Sequence, residues 1–330
     1  MMDNLNNQDP LNNSSNTSHP EKLIEDVKPE LTPKISPVKA GLIGLAGGFF
    51  FYQIFGGLLT VLIFGLNFEK ADPNALRLIT MAGQVLFILL PALIFSKIIY
   101  EDVTRVIRFR SAPWIEIGLF TVGIIALTPI LQNYLYIQNY FFDQLAKQNG
   151  FVQMIKESLD SLDKLVESSY GSLLKINSTM DGAIVIAVVA ITPAVCEEVM
   201  FRGYIQKSFE LKFKPFLGAL ITAIFFGIYH FNPYAFLPLT ALGFYLGYSA
   251  YKSNSILVPV VLHFINNLSA VVLFMVLGDS ELEQSKAISS AELTPTLISL
   301  SYQIILFVIV IVGIQYYYRN KKRIVAASMK

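Results

Sequence analysis

The chain is short of the features that mark a soluble enzyme. Charged residues make up 15% of its 330 positions, against about 25% in an ordinary soluble domain. A single cysteine, Cys196, excludes an intramolecular disulfide, so no disulfide scaffold holds the fold. The formal net charge is +1, which leaves no global basic field to draw in nucleic acid. No internal repeat is visible. No apolar run precedes Ala40, so the N-terminus is not expected to be a signal peptide. Residues 1–38 are rich in Asn, Ser, Pro, Asp and Glu. Such a segment buries too little apolar surface to offset its ordering entropy, and it is expected to be a disordered tail.

What the chain has instead is apolar length. Hydrophobic residues make up 54% of it, mean hydropathy is +0.53, and the excess lies in long runs. A helix needs about 20 apolar residues to cross the hydrocarbon of a bilayer. Candidate spans fall at 40–66, 76–100, 114–137, 183–202, 216–230, 234–251, 256–277 and 297–318. The expected fold is all-α, a polytopic membrane bundle of about eight transmembrane helices. Residues 39–319 form one domain, and a basic tail follows at 320–330. With the N-terminus inside, the basic groups Arg105, Arg108, Arg110, Lys207, Lys212, Lys214, Lys252, Arg319, Lys321, Lys322 and Arg323 all fall on one side. The positive-inside rule makes that side cytoplasmic. Both termini are therefore expected in the cytoplasm of a multi-pass protein, in a bacterial-type plasma membrane. The outer connection at 138–181 repeats Val152, Ile155, Leu159, Leu162 and Val166 at helical spacing, the pattern of an amphipathic helix on the outer leaflet. Gly44-x-x-x-Gly48 and Gly243-x-x-x-Gly247 suit close helix packing.

Ionisable groups at the centre of a membrane helix cost roughly 2.5–3.5 kcal/mol each on insertion scales, so they persist where they pair or do chemistry. Here an acid pair, an arginine and two imidazoles fall on three neighbouring spans within 183–277. Glu198 and Arg202 are four apart, share a helix face and can pair. Glu197 is turned by about 100° and lacks that partner, as a general base requires. His230 closes the fifth span, with Phe226 one turn earlier able to wall the site. His263 and Asn267 again share a face, where an imidazole and a carboxamide can donate to a developing oxyanion. Pro193 and Pro259 stand four residues before Glu197 and His263, and each removes a backbone hydrogen bond from its helix. At about 1.5 Å of rise per residue, these groups fall in one band between the midplane and the cytoplasmic face. They are expected to line one cytoplasm-facing cavity.

Glu197-Glu198-x-x-x-Arg202, then Phe226-x-x-x-His230, then His263-x-x-x-Asn267 resembles the three motifs of the CAAX-protease and bacteriocin-processing family, also called CPBP or Abi, which includes the type II CAAX prenyl endopeptidases. The resemblance covers 183–277. It implies an intramembrane endopeptidase acting on a membrane-associated protein or peptide in the lipid bilayer. Glu197 and His230 would activate water, and His263 and Asn267 would hold the oxyanion, while Arg202 would pair with Glu198. The family is often labelled metalloprotease. In a zinc-dependent version, Glu197, His230 and His263 would be the ligands. No H-E-x-x-H occurs, and a Glu/His-activated water needs no metal, so a metal-independent site is expected. Three rival readings stand beside it: a transporter with a proton relay, an immunity or scaffold protein that only binds, and a peptidase with Cys196 as nucleophile. Cys196 lies in an apolar run without a cationic neighbour to activate its thiol.

Overall fold

The computed structural model describes residues 31–65, 72–176, 178–277 and 286–328, which are helical with no strand among them. Residues 1–30 of the expected disordered tail lie outside the described residues. So do Glu69, Lys70, Asp279, Glu281 and Glu283, in loops on the side expected to be outer. Residues 31–330 form one compact unit. Helix α1 runs Pro37–Phe64, α2 Pro73–Tyr100, a short α3 Val103–Val106, α4 Trp114–Gln148 and α5 Gly150–Leu174. They are followed by α6 Thr179–Glu210, α7 Pro215–Tyr229, α8 Phe236–Ser253, α9 Leu257–Leu277 and α10 Ser290–Ser328.

The chain is an integral membrane helix bundle. Six described helices, α1, α2, α4, α6, α9 and α10, are long and apolar enough to cross a bilayer. The remaining two expected spans are α7, of 15 residues, and α8, of 18. These two pack most extensively on each other. Their inner faces are small or buried: Gly218, Ala219, Ala223 and Gly227 on α7, and Gly243, Gly247 and Ala250 on α8. Their other faces, with Phe216, Ile228 and Leu237, are exposed, and α7 is shorter than the roughly 20 residues that a full span needs. Helix α6 is the centre: 56% of its most apolar window is buried, against 6% for α1 and α10. One apolar cluster gathers around α1, α2, α6 and α7, including Leu45, Ile88, Cys196, Tyr204 and Phe226. A second joins α4, α8, α9 and α10 through Phe120, Tyr245, Leu262 and Ile314.

Helix ends are secured by polar side chains. Asp72 accepts from the amide of Ala75 before Pro73, Asn149 caps α5, and Ser178 caps α6. Buried Arg77 donates to the carbonyl of Leu173 at 2.9 Å and to that of Lys175, so α2 fixes the end of α5. Buried Glu116 accepts from Tyr318 at 2.9 Å and from Lys321, which ties α10 to the start of α4.

Wider, π-helical turns interrupt α1 at Phe49–Gly56, α2 at Val85–Leu89, and α6 at Ile186–Ile191 and Val199–Ile205. Such turns appear mostly as local insertions, often at functional sites. The first of the two in α6 has a visible cause. Pro193 cannot donate to the carbonyl of Val189, and the Asn267 carboxamide of α9 takes that place at 3.1 Å. Thr192 completes the repair by donating to the carbonyl of Ala187 at 2.8 Å.

Candidate active site

The site lies at the seam between the two apolar clusters, where α6, α7 and α9 meet. Glu198 is its anchor. One carboxylate oxygen, Oε1, accepts from Arg202 Nη1 at 2.7 Å and lies 2.7 Å from His263 Nδ1. Glu198 and Arg202 are fully buried, and His263 nearly so. Arg202 also donates to the carbonyl of Gly243 at 3.2 Å, and its guanidinium lies 4.3 Å from the centre of the Phe226 ring. The i, i+4 pair expected from the sequence is present, but its carboxylate serves α9 as well.

Phe226 is the common wall. Its ring centre is 4.6 Å from that of His230 and 6.0 Å from that of His263. His230 ends α7, and its Nδ1 lies 2.7 Å from the carbonyl of Phe226. A carbonyl only accepts, so Nδ1 carries the proton and the neutral ring presents an unprotonated Nε2. The same logic at His263 assigns Nδ1–H to the Glu198 carboxylate. Donation from His263 Nε2 then requires the ring to carry both protons. Asn267 uses one N–H on Val189, and its Oδ1 accepts from Asn266 at 3.2 Å. Its second N–H is left for a ligand.

Glu197 points elsewhere than Glu198. It is half-buried, and its Oε2 is shut off from solvent without a hydrogen-bond partner among the described residues. It lies within electrostatic reach of His230 and Arg202. Cys196, Tyr52 of α1 and Tyr170 of α5 lie within the same reach. The structure thus brings Glu197, Glu198, Arg202, Phe226, His230, His263 and Asn267 into one neighbourhood, built from three helices and backed by Gly243 of α8. No three His, Cys, Asp or Glu side chains among the described residues are arranged to hold a metal ion. Glu197, His230 and His263 therefore do not fit as a zinc set in this geometry.

Reading the sequence missed Tyr52, Tyr170 and the embrace of α5. On α5, Ile155 and Leu162 are exposed, Val152, Leu159 and Val166 are half-buried, and Asp163 is buried. Asp160 accepts from the hydroxyl of Tyr234, and Asp163 meets Asn232 at 3.5 Å. These bonds clasp the turn after His230, where Phe231 has a positive φ of 48°. The sequence signal, two acids one turn apart on an amphipathic helix, was present but silent about its partners. The site is bounded by α5, on the side opposite the basic loops, which depth arithmetic along single helices could not show.

This clasp carries a pH dependence. Burial opposes the charge on Asp160. Hydrogen bonds from Lys156 and Tyr234, with the charges of Lys156 and Lys164, overcome it and hold the carboxyl below the usual carboxylate range. A depressed carboxyl contributes stability above its unfolded pKa, and that stability is lost as the pH falls through the folded value. Amide exchange in α5 is expected to be slow at neutral pH and to rise below about pH 4. The Asp160→Asn variant should exchange fast at both, and a protected variant would disprove the clasp.

The packing behind the site gives a second test. A methyl group on Gly243 would stand 2.9 Å from Phe226 Cδ1 and 3.4 Å from Arg202 Nη2. Overpacking of this kind costs roughly 1–3 kcal/mol. Gly243→Ala should lower the thermal midpoint in detergent and displace Phe226, and with it His230 and His263. An unchanged midpoint would show that the neighbours yield freely.

Fold and site together define a membrane-embedded helix bundle whose core holds an acid, two imidazoles and a carboxamide. Residues 179–269, the segment that supplies all of them, match the family model described as type II CAAX prenyl endopeptidase Rce1-like. The match supports the CPBP/CAAX protease family. No curated protein and no solved structure matches the chain.

Proposed function

We propose that the chain is an intramembrane endopeptidase that hydrolyses a peptide bond in a membrane-associated protein or peptide. The family match over 179–269 supports the reaction class. The observation that carries the residue assignment is Glu197: a buried carboxylate oxygen without a partner, in electrostatic reach of a histidine whose tautomer is set by a backbone carbonyl.

In this reading Glu197 takes a proton from a water that also donates to His230 Nε2. The hydroxide adds to the carbonyl carbon. The negative charge that develops on the carbonyl oxygen meets the free N–H of Asn267 and the Nε2–H of a doubly protonated His263. Glu198 keeps His263 in place, and Arg202 balances the charge of Glu198. When the intermediate collapses, the proton held by Glu197 passes to the leaving nitrogen. Phe226 packs against both imidazoles and fixes their separation. The charge asymmetry of the loops supports an orientation with both termini on the cytoplasmic side and α5 on the outer side.

The test is cleavage of membrane-protein and peptide libraries by purified, detergent-solubilised protein, with wild type, Glu197→Ala and His230→Ala side by side. Cutting by wild type alone, indifferent to chelator, is the expected result. Cutting that survives in both variants would overturn the assignment.

A further inference from the structure

Helix α10 has two unlike faces. One is committed to the protein. Ile314 and Tyr318 are buried in the second apolar cluster, Gln303 accepts from Asn133 of α4 at 2.9 Å, and Lys321 donates to buried Glu116. The other face is bare along the whole span. Ile298, Tyr302, Ile305, Ile309, Val312 and Tyr316 are each more than half exposed. They recur three or four residues apart and so form one continuous stripe. Arg319 and Arg323 extend that spacing, Lys322 stands beside them, and all three are exposed.

The cations at the end of the stripe lack acids. Elsewhere on the basic side Lys34 pairs with Glu101, Arg105 with Asp102 and Arg108 with Glu210. On α10 itself Lys321 is matched by Glu116. Arg319, Lys322 and Arg323 form no ion pair among the described residues. Three like charges within five positions repel one another, and an anion set among them relieves that repulsion.

The dimensions and the charge select the occupant. From Ile305 to Tyr316 the stripe rises about 16 Å. That is close to half of a hydrocarbon core of roughly 30 Å, the depth of one leaflet. Tyr316 then falls where tyrosines favour the boundary with water. Arg319 stands about 4.5 Å beyond it, at the level of the phosphates. A second copy of this face laid alongside would bring like charges together, whereas an acidic headgroup meets them with the opposite sign. We propose that this face of α10 is a binding site for an anionic phospholipid. An acyl chain lies along residues 305–312, Tyr316 packs at the glycerol level, and Arg319, Lys322 and Arg323 hold the phosphate. The opposite face of α10 supplies Ile314 and Tyr318 to the cluster that contains Leu262, the neighbour of His263. The bound lipid therefore steadies the packing behind the candidate active site.

The test uses full-length protein in phosphatidylcholine vesicles. The chain has one tryptophan, Trp114. In a Trp114→Phe background, Val312→Trp puts a single reporter on the stripe near its cationic end. Ile298→Trp, on the same face at the far end, is the control. Dibrominated phosphatidylglycerol or dibrominated phosphatidylcholine is titrated in, and each quenches an indole that it touches. Phosphatidylglycerol is expected to be preferred about tenfold at position 312, on the scale of a few cations acting together, with no preference at 298. The preference should fall to near unity in Arg319→Gln/Lys322→Gln/Arg323→Gln, and also at about 0.5 M salt, where screening is strong. Equal quenching by the two lipids at 312 would overturn the site, as would a preference that survives in the triple variant. Quenching by neither lipid would show that protein covers the face, and would overturn it too.

Discussion

Glu197→Gln is expected to abolish peptide cleavage, by about 10³-fold or more, while leaving the fold intact or slightly more stable. General acid–base groups of this kind contribute typically 10²–10⁴-fold. The reason for the preserved stability is local. Glu197 Oε2 is buried and makes no hydrogen bond among the described residues, so the substitution breaks no hydrogen bond at that oxygen. Replacing a buried, unpartnered carboxylate by a neutral carboxamide of the same shape removes a desolvation cost without breaking a contact. Initial rates and a thermal melt in the same detergent check both halves. A variant that retained a tenth of wild-type activity would remove Glu197 from the chemistry. A variant that unfolded would show that the charge has a structural partner.

Glu198→Ala is expected to behave in the opposite way, although the two acids are adjacent. Glu198 accepts from Arg202 and His263 at 2.7 Å each, and all three are buried. Its loss strands the Arg202 guanidinium without its hydrogen-bonded carboxylate and frees Nδ1 of His263. Breaking a buried ion pair by removing one partner costs about 3–5 kcal/mol, so the thermal midpoint should fall steeply and activity with it. A compensating change sharpens the test. In Glu198→Ala/Arg202→Met both charges are gone and the volume of the arginine is partly kept, so much of the stability should return. Activity should not return, because His263 has lost the group that orients it. A double variant no more stable than the single would mean that the cation of Arg202 is held chiefly by Phe226 and the carbonyl of Gly243.

The contrast between these two neighbours also shows what could be read in advance. That Glu198 and Arg202 pair follows from helical spacing alone, because residues four apart share a face wherever the helix goes. That His263 joins the same carboxylate does not follow, because α9 reaches Glu198 only through tertiary packing. The role of Asn267 divides in the same way. Its place on the His263 face was legible, but its bond to the carbonyl that Pro193 vacates required two helices to be brought together. Each of the two prolines removes a backbone hydrogen bond, and at Pro193 the structure fills the gap with a side chain.

Composition and periodicity by themselves determined that this chain is a helical membrane protein. They determined also which three segments carry the acid pair, Arg202 and the two membrane histidines, because hydrophobic length and i, i+4 spacing are properties of one helix in lipid. Only the tertiary structure decided the rest. It embedded α7 and α8 as a short hairpin, turned the acidic face of α5 toward His230, and set Tyr52 and Tyr170 within reach of Glu197. It also left one face of α10 bare along 298–323. Those are relations between helices, governed by which faces pack, and in an apolar sequence where nearly every face is hydrophobic the local pattern does not distinguish the face that meets protein from the face that meets lipid.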